Sequence, residues 1–275
     1  MMLMVFILLI SFVQEGSSRL TIDEKQFIVD IHNEYRMNVT PNAADMRRLE
    51  WDDEVAAVAQ NWASGCPGGH NSNEYGENLA FSTLPFTGNI ENLFKAGLKA
   101  WHDEVDDYKY NTGECSGVCG HYTQMVDTRS IKIGCGTNYE ECAGRFPYTL
   151  VCNYSPAGNY NGNKPYQKGK TCSKCADDTR FCVDKFCAAE CSGNCKCKRK
   201  CKKGELDKKT CTCNCYKKKG YYGSFCKQKC KNTDECINRG YDTWPDENVC
   251  VGDYFTDLCP LKCHPDCEYF KNKKG

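Results

Sequence analysis

Twenty-four cysteines in 275 residues constrain this chain more than any other feature of its sequence. A cytosolic protein keeps its thiols reduced and mostly uses them to hold metal, whereas a protein that passes through an oxidising compartment pairs them. The even count leaves no thiol obligatorily spare. Apolar residues make up 40% of the chain, enough to build a real core and to exclude a disordered polymer.

Export is expected from the N-terminus as well. Residues Met1 to Val13 form an apolar run bounded by Gln14 and Glu15, too short to span a bilayer. With Gly16 and Ser18 as the small residues a signal peptidase reads, residues 1–18 are a signal peptide with cleavage expected after Ser18. No second long apolar stretch occurs, so no transmembrane helix is expected and the mature product should be soluble and extracellular.

The cysteines divide the remainder. Six (Cys66, Cys115, Cys119, Cys135, Cys142 and Cys152) precede position 171, and 18 crowd into the residues after it. Charge divides at the same place: Arg19 to Lys170 carries 14 basic and 20 acidic residues, whereas Thr171 onward carries 22 basic and 15 acidic. The net charge of zero therefore conceals an acidic globular domain, residues 19–168, joined to a basic, disulfide-dense tail. The stretch NYNGNKPYQKGK between them is rich in Gly and Asn, as a connector is expected to be.

In the first domain Thr21 and Glu24 form a capping box, and Phe27, Ile28, Ile31 and Tyr35 share the face of a helix ending near Met37. A second helix fits LEWDDEVAAVAQNWASGC, with acidic Asp52, Asp53 and Glu54 near its N-terminus and a stop at Gly65 and Pro67. A third covers Ile90 to about Val105. Beyond Gly120, TQMV, SIKIGCG and PYTLVCNY are short runs rich in β-branched and aromatic residues, read as strands. The expected fold is an α/β/α sandwich, helices covering a small antiparallel sheet, followed by small disulfide-rich, loop-dominated modules.

Four strings carry a specific resemblance: HNEYR (His32–Arg36), YGENLA (Tyr75–Ala80), GHYTQMV (Gly120–Val126) and VCNYSPAGN (Val151–Asn159). With WHDEVDDY they resemble the CAP superfamily of cysteine-rich secretory, antigen-five and pathogenesis-related proteins, over about Thr21 to Lys168 and in family order. One departure is Asp127, which stands where that family usually has Trp.

The resemblance implies a cleft carrying two histidines and two acids, matched here by His70, Glu77, Glu104 and His121. Two neutral imidazoles can ligate Zn²⁺ or another divalent cation, and the carboxylates can orient the rings or handle a proton. Structural zinc takes four protein ligands and catalytic zinc three, so a site with metal ligands His70 and His121 alone holds its ion weakly. His32 reads as structural, His102 and His264 as solvated side chains, and Glu34 and Asp103 as exposed helix charges. Asn38 and Asn153 match the glycosylation pattern. A GxSxG elbow is absent and no free cysteine is expected, which leaves nucleophilic catalysis little support; the resemblance implies extracellular binding of a glycan, lipid, receptor or channel, with a metal-assisted extracellular peptidase as the alternative.

The tail divides further. Residues 169–195 resemble the cysteine-rich hinge of cysteine-rich secretory proteins. Residues 196–229 resemble an EGF-like module, with Cys211 as a supernumerary cysteine beside Cys213 and Cys215. Residues 230–275, whose cysteines close with CPLKCHPDC (Cys259–Cys267), resemble the anemone potassium-channel toxin-like fold. A metallothionein-like use of the Cys-x-Cys pairs is the rival reading, disfavoured by the export route. From Lys196 to Lys231 there are 14 basic and two acidic residues. Lys196, Lys198, Arg199, Lys200, Lys202, Lys203, Lys217, Lys218 and Lys219 are therefore candidate anion-binding residues. Outside the cell their partner is a sulfated glycan, acidic lipid head group or acidic receptor face, and not nucleic acid.

Overall fold

The computed structural model describes residues 20–82, 90–138, 148–160, 163–191, 195–197, 200–216, 220–222, 226–239, 250, 259–264 and 267. The expected leader lies outside them. The chain forms two compact units that divide between Lys168 and Gly169.

Helix α1 (Ile22–Met37) starts at the expected capping box, in which Glu24 N–H donates to Thr21 Oγ1 at 3.3 Å and Thr21 N–H to Glu24 Oε2 at 2.7 Å. Strand β1 (Glu50–Trp51) leads into α2 (Asp53–Ser64), whose N-cap Asp52 accepts from Glu54 N and Val55 N, both at 3.0 Å. Lys132 also bonds Asp52 and holds its carboxyl below the usual carboxylate range. Then follow β2 (Gly76–Ser82), α3 (Ile90–Asp103), a 3₁₀ turn (Glu104–Asp107) and the short hairpin β3 (Tyr108–Lys109) and β4 (Glu114–Cys115). Helix α4 (Gly120–Met125), β5 (Lys132–Asn138) and β6 (Tyr148–Ser155) complete the elements of the unit.

The sheet runs β1-β5-β6-β2. Its long pairs are antiparallel, but β1 pairs with β5 in parallel, so the sheet is mixed where an antiparallel one was expected. Two further expectations fail in the same region. GENLAFS, read only as a motif, is the edge strand β2. TQMV, read as a strand, is the end of α4, because the Glu104 carboxylate collects the N–H groups of His121 and Tyr122 and starts a helix there.

Helix α2 covers one face of the sheet, where Ala59 and Ala63 pack with Leu79 and Val151, and Trp62 and Phe81 flank them. The helix comes close enough to exclude side chains from β5: a Cβ on Gly134 would stand 2.0 Å from Ala56 N, and one on Gly136 would stand 2.3 Å from Gln60 Cα. On the other face α3 lies against Leu150 and Ala80 at Gly97, and α1 reaches Tyr154 through His32. Cys135 and Cys152 are register partners there, joined by a disulfide.

Arg36 ties this face together. Fully buried, it donates from Nε and Nη2 to Arg47 O (3.0 and 2.8 Å), from Nη1 to Met125 O and Asp127 O (3.0 and 2.8 Å), and from Nη2 to Ser130 O (3.0 Å). All five guanidinium N–H groups are thereby used. Burial pushes its pKa down to about 10, so it stays charged at neutral pH. Asp127, the departure from the family pattern, is buried as well. Its carboxylate binds Arg129 through both guanidinium and backbone and accepts from Asn159 N–H at 3.0 Å, so an ion pair anchors this corner.

The connector is less free than its composition predicts. Thr128 N–H donates to Pro165 O (2.8 Å), Ala44 N–H to Gln167 O (2.7 Å) and Tyr110 OH to Tyr166 O (2.7 Å), which clamps this stretch onto the first unit up to Lys168.

The second unit is held by crosslinks. A three-stranded sheet orders β8 (Phe186–Ala188), β7 (Phe181–Val183) and β9 (Lys196–Cys197). Hairpins pair β10 (Gly204–Asp207) with β11 (Thr212–Cys215) and β12 (Tyr221–Tyr222) with β13 (Gln228–Lys229), and short helices α5 (Asp234–Asn238) and α6 (Pro260–Cys263) follow. There is no free cysteine among the described residues, so thiolate clusters of the metallothionein kind are not formed.

Replacing Arg36 by Met leaves the carbonyls of Arg47, Met125, Asp127 and Ser130 without their donor. The expected cost is about 3–5 kcal/mol of stability, read as a lower urea midpoint at unchanged slope. Arg36→Lys, with three donors in place of five, should fall between the two.

Candidate functional site

Glu104 lies at the start of the 3₁₀ turn that follows α3, and α4 begins opposite it. One carboxylate oxygen, Oε2, accepts from the backbone N–H of His121 at 2.9 Å and of Tyr122 at 3.2 Å. The other, Oε1, stands 2.6 Å from His121 Nδ1. An ionised carboxylate only accepts, so Nδ1 carries the proton and Nε2 keeps its lone pair. Trp101, buried in α3 and anchored by Nε1–H to Leu79 O at 3.1 Å, stacks on the His121 ring at 5.9 Å and 15°. The ring is fixed on two sides.

A second pair repeats the arrangement. Glu77 sits on β2 with its side chain only 4% exposed, and its Oε1 accepts from Asn71 N–H at 2.9 Å and from His70 Nδ1 at 2.8 Å. His70 projects from the loop after α2, where Trp62 Nε1–H holds Gly69 O at 3.1 Å, and its ring is 61% exposed. Its Nε2 is likewise the nitrogen with a lone pair. Glu77 Oε2 is buried and has no hydrogen-bond partner.

The two pairs are tied to consecutive residues of β2, since Asn78, next to Glu77, donates from Nδ2 to His121 O at 3.0 Å. Asn78 Nδ2 also donates to Tyr154 OH (3.3 Å), and Tyr154 OH donates to His32 Nε2 (2.9 Å), because His32 Nδ1–H is committed to Ile28 O at 2.8 Å. This chain behind the site was not read from sequence. Its signal was the polar pair His32 and Asn78 inside otherwise apolar faces. His32 is structural as expected, and burial pushes its pKa down to about 4.

Each imidazole offers one nitrogen and is backed by a carboxylate. Among the described residues no three His, Asp or Glu donor atoms of this region lie within 4.8 Å of one another. The region thus offers two imidazole nitrogens and no cluster of three donors, fewer ligands than the three or four of a tight zinc site. Cys172, Cys175 and Cys187 do bring three sulfurs within 4.8 Å, but these are spent in the Cys172–Cys182 and Cys175–Cys187 disulfides and are not thiolates.

Other expectations need correction. His102 is not a solvated side chain: it stacks on Tyr35 at 3.9 Å and meets Tyr122 edge-on. His264 packs on Tyr222 at 4.0 Å. Asp103 is an exposed helix charge as expected, paired with Lys99 at 2.5 Å. Asn153, of the NYS sequon, is buried in β6, whereas Asn38 is exposed. In the tail Lys196, Lys200, Lys202 and Lys203 are exposed, and Lys198, Arg199, Lys217, Lys218 and Lys219 lie outside the described residues.

The family model described as "CAP: Cysteine-rich secretory protein family" matches residues 29–154. Human cysteine-rich secretory protein 2 is 34% identical over 230 residues, a match that covers 78% of this chain and 84% of that protein. The chain belongs to the CAP family. As a CAP protein it is secreted, which its disulfides fit. Mouse peptidase inhibitor 16 is 42% identical over 168 residues, but the chain spans only 32% of that protein's length. The crystal structure of NaASP2 with Zn²⁺ is 27% identical with a TM-score of 0.52, covering 64% of this chain and 98% of that one. Among the described residues no helix is long and apolar enough to cross a membrane.

Because folded His32 resists protonation to about pH 4 while the unfolded side chain titrates near 6.5, its contribution is complete above pH 6.5 and lost as pH falls toward 4. The loss amounts to about 3 kcal/mol over that window. Urea midpoints measured from pH 7 to 4 should fall more steeply for the wild type than for His32→Gln, and equal slopes would refute the assignment.

Proposed function

We propose that this CAP protein acts by binding outside the cell, with a weak divalent-cation site at His70 and His121 of its first unit and an anion-binding face on its tail. The observation that carries the first part is the shared tautomer: Glu77 and Glu104 each take an Nδ1 proton, which leaves two Nε2 lone pairs for a metal. The Zn²⁺ in the NaASP2 crystal structure supports the choice of ion. A bound cation there supplies a Lewis-acidic centre with open positions for an oxygen of the ligand. The residues of this chain orient the imidazoles through Glu77 and Glu104, and the Glu77 side chain itself is almost wholly shielded from water.

A metal-assisted peptidase needs a carboxylate free to act as base. Glu104 has both oxygens engaged by imidazole and backbone N–H groups, and the unpartnered Oε2 of Glu77 is buried away from solvent, which favours binding over hydrolysis.

In the tail, cysteine pairing supports the modular reading. Within residues 196–229 the first cysteine pairs with the third, the second with the fourth and the fifth with the sixth, as Cys197–Cys211, Cys201–Cys213 and Cys215–Cys226. This pairing supports counting Cys211 within the EGF-like framework and not as supernumerary. The last block nests Cys236–Cys259 and Cys250–Cys263 within Cys230–Cys267, which suits a toxin-like module. Residues 169–195 are the hinge, and residues 1–18 a signal peptide.

Zn²⁺ titration of the wild type and of the His70→Ala/His121→Ala double variant should differ by one site at neutral pH. Equal stoichiometry in the two proteins would remove the site, and peptidase activity abolished by the same substitutions would replace binding with hydrolysis.

A further inference from the structure

The tail gathers two lysines onto one tyrosine. Tyr221 and Lys229 are register partners of the β12–β13 hairpin and therefore project from the same face. Lys203, immediately before β10, comes to the same ring. Its Nζ stands 6.0 Å from the Tyr221 ring centroid and that of Lys229 stands 5.9 Å away. The backbone fixes the meeting: Tyr216 N–H donates to Lys203 O at 3.0 Å and Tyr221 N–H to Tyr216 O at 3.5 Å. Disulfides bracket every participant, with Cys201 two residues before Lys203, Cys215 beside Tyr216, and Cys226 and Cys230 on either side of Lys229.

Two ammonium groups held at one ring repel each other, and neither is paired with a carboxylate among the described residues. The arrangement gains from an anionic chain that reaches both. Tyr221 is half-buried and Tyr216 is 40% exposed, so an aromatic face lies beside the charges. We propose that Lys203, Lys229 and Tyr221, with Tyr216 at the edge, form a site for a sulfated glycan, the lysines taking sulfates and the tyrosine faces a sugar ring. This rests on the anion-binding reading of the tail and deepens it: the residues are specific, and Lys229 and Tyr221 were not among the lysine runs picked out by charge density. A lipid surface fits less well, because membrane docking needs apolar side chains beside the charges, and the large exposed hydrophobics described in the tail are only Tyr216 and Ile237. A crosslinked scaffold also loses little freedom on binding.

The test uses the full chain and heparin, with fully desulfated heparin and phosphatidylserine vesicles as separate arms. Lys203→Gln/Lys229→Gln removes two charges at the site, and Lys208→Gln/Lys209→Gln removes two exposed charges of the β10–β11 turn. Tyr221→Leu removes the ring, and intact mass without reductant confirms that each variant has formed its disulfides. The first double variant and Tyr221→Leu should each bind heparin about tenfold more weakly at physiological salt, the Lys208/Lys209 control less than about threefold, and desulfated heparin should not bind. Equal losses in both double variants would overturn the site while leaving diffuse anion binding intact. No heparin binding by the wild type would overturn the underlying reading as well, and binding to vesicles but not heparin would replace the glycan by a lipid surface.

Discussion

The guanidinium of Arg36 is the interaction on which the geometry of the first unit depends. It is a full charge with no solvent, and it is stable there because carbonyl oxygens from two separate segments turn inward to meet its five N–H groups. Those carbonyls belong to Arg47, ahead of β1, and to the stretch from Met125 to Ser130 that closes α4. The same side chain therefore fixes where α4 ends and where the chain re-enters the sheet. With the end of α4 pinned by Arg36 and its start pinned by Glu104, a helix of six residues is held at both termini by side chains from other elements. A helix that short has little stability of its own. His121 owes its position to those two anchors.

The buried corner at Asp127 follows from the same logic. An aromatic side chain fills space by shape alone, whereas Asp127 imposes directions: its oxygens take Arg129 and the Asn159 N–H, and Arg129 in turn lies over the Tyr160 ring at 5.1 Å. The turn after β6 is thereby tied to the end of α4 by polar contacts. Gly158 N–H reinforces the tie by donating to Gln124 Oε1 at 3.2 Å. An ion pair tolerates burial only when its remaining hydrogen-bonding capacity is met, and here backbone N–H groups meet it.

Much of this was legible in the sequence, and the failures share a cause. The three long helices were readable because capping residues and a 3.6-residue apolar period agree. The candidate site was readable because its residues occur in motifs of a known family. What local pattern could not supply was anything imposed from a distance. TQMV has strand-forming residues, yet the distant Glu104 carboxylate, by taking the N–H groups of His121 and Tyr122 just ahead of it, makes it helical. The edge strand β2 alternates Glu77 and Leu79 toward α2 with Asn78 and Ala80 toward α3, so its polar residues hid its period. His102 and His264 looked solvated because the tyrosines that cover them are remote in sequence. In the tail, charge density located the basic region but not the tyrosine onto which two of its lysines converge.

The two units therefore hold their functional groups by different physics. In the first, a sheet packed on both faces leaves room for polar side chains only where each hydrogen bond is met. The rings of His70 and His121 are positioned by carboxylates that are themselves positioned. In the second, the stretch rich in Lys and Cys has little apolar matter to bury, and covalent bonds replace a core. That substitution decides what the surface can be. A lysine anchored by a hydrophobic core needs neighbours that are apolar, whereas a lysine two residues from a disulfide needs none, so like charges can be crowded to a density that packing alone would not sustain. The repulsion thus built in is screened by the ions around it, and neutralising it is what the proposed polyanion would gain from a surface that the crosslinks hold in place.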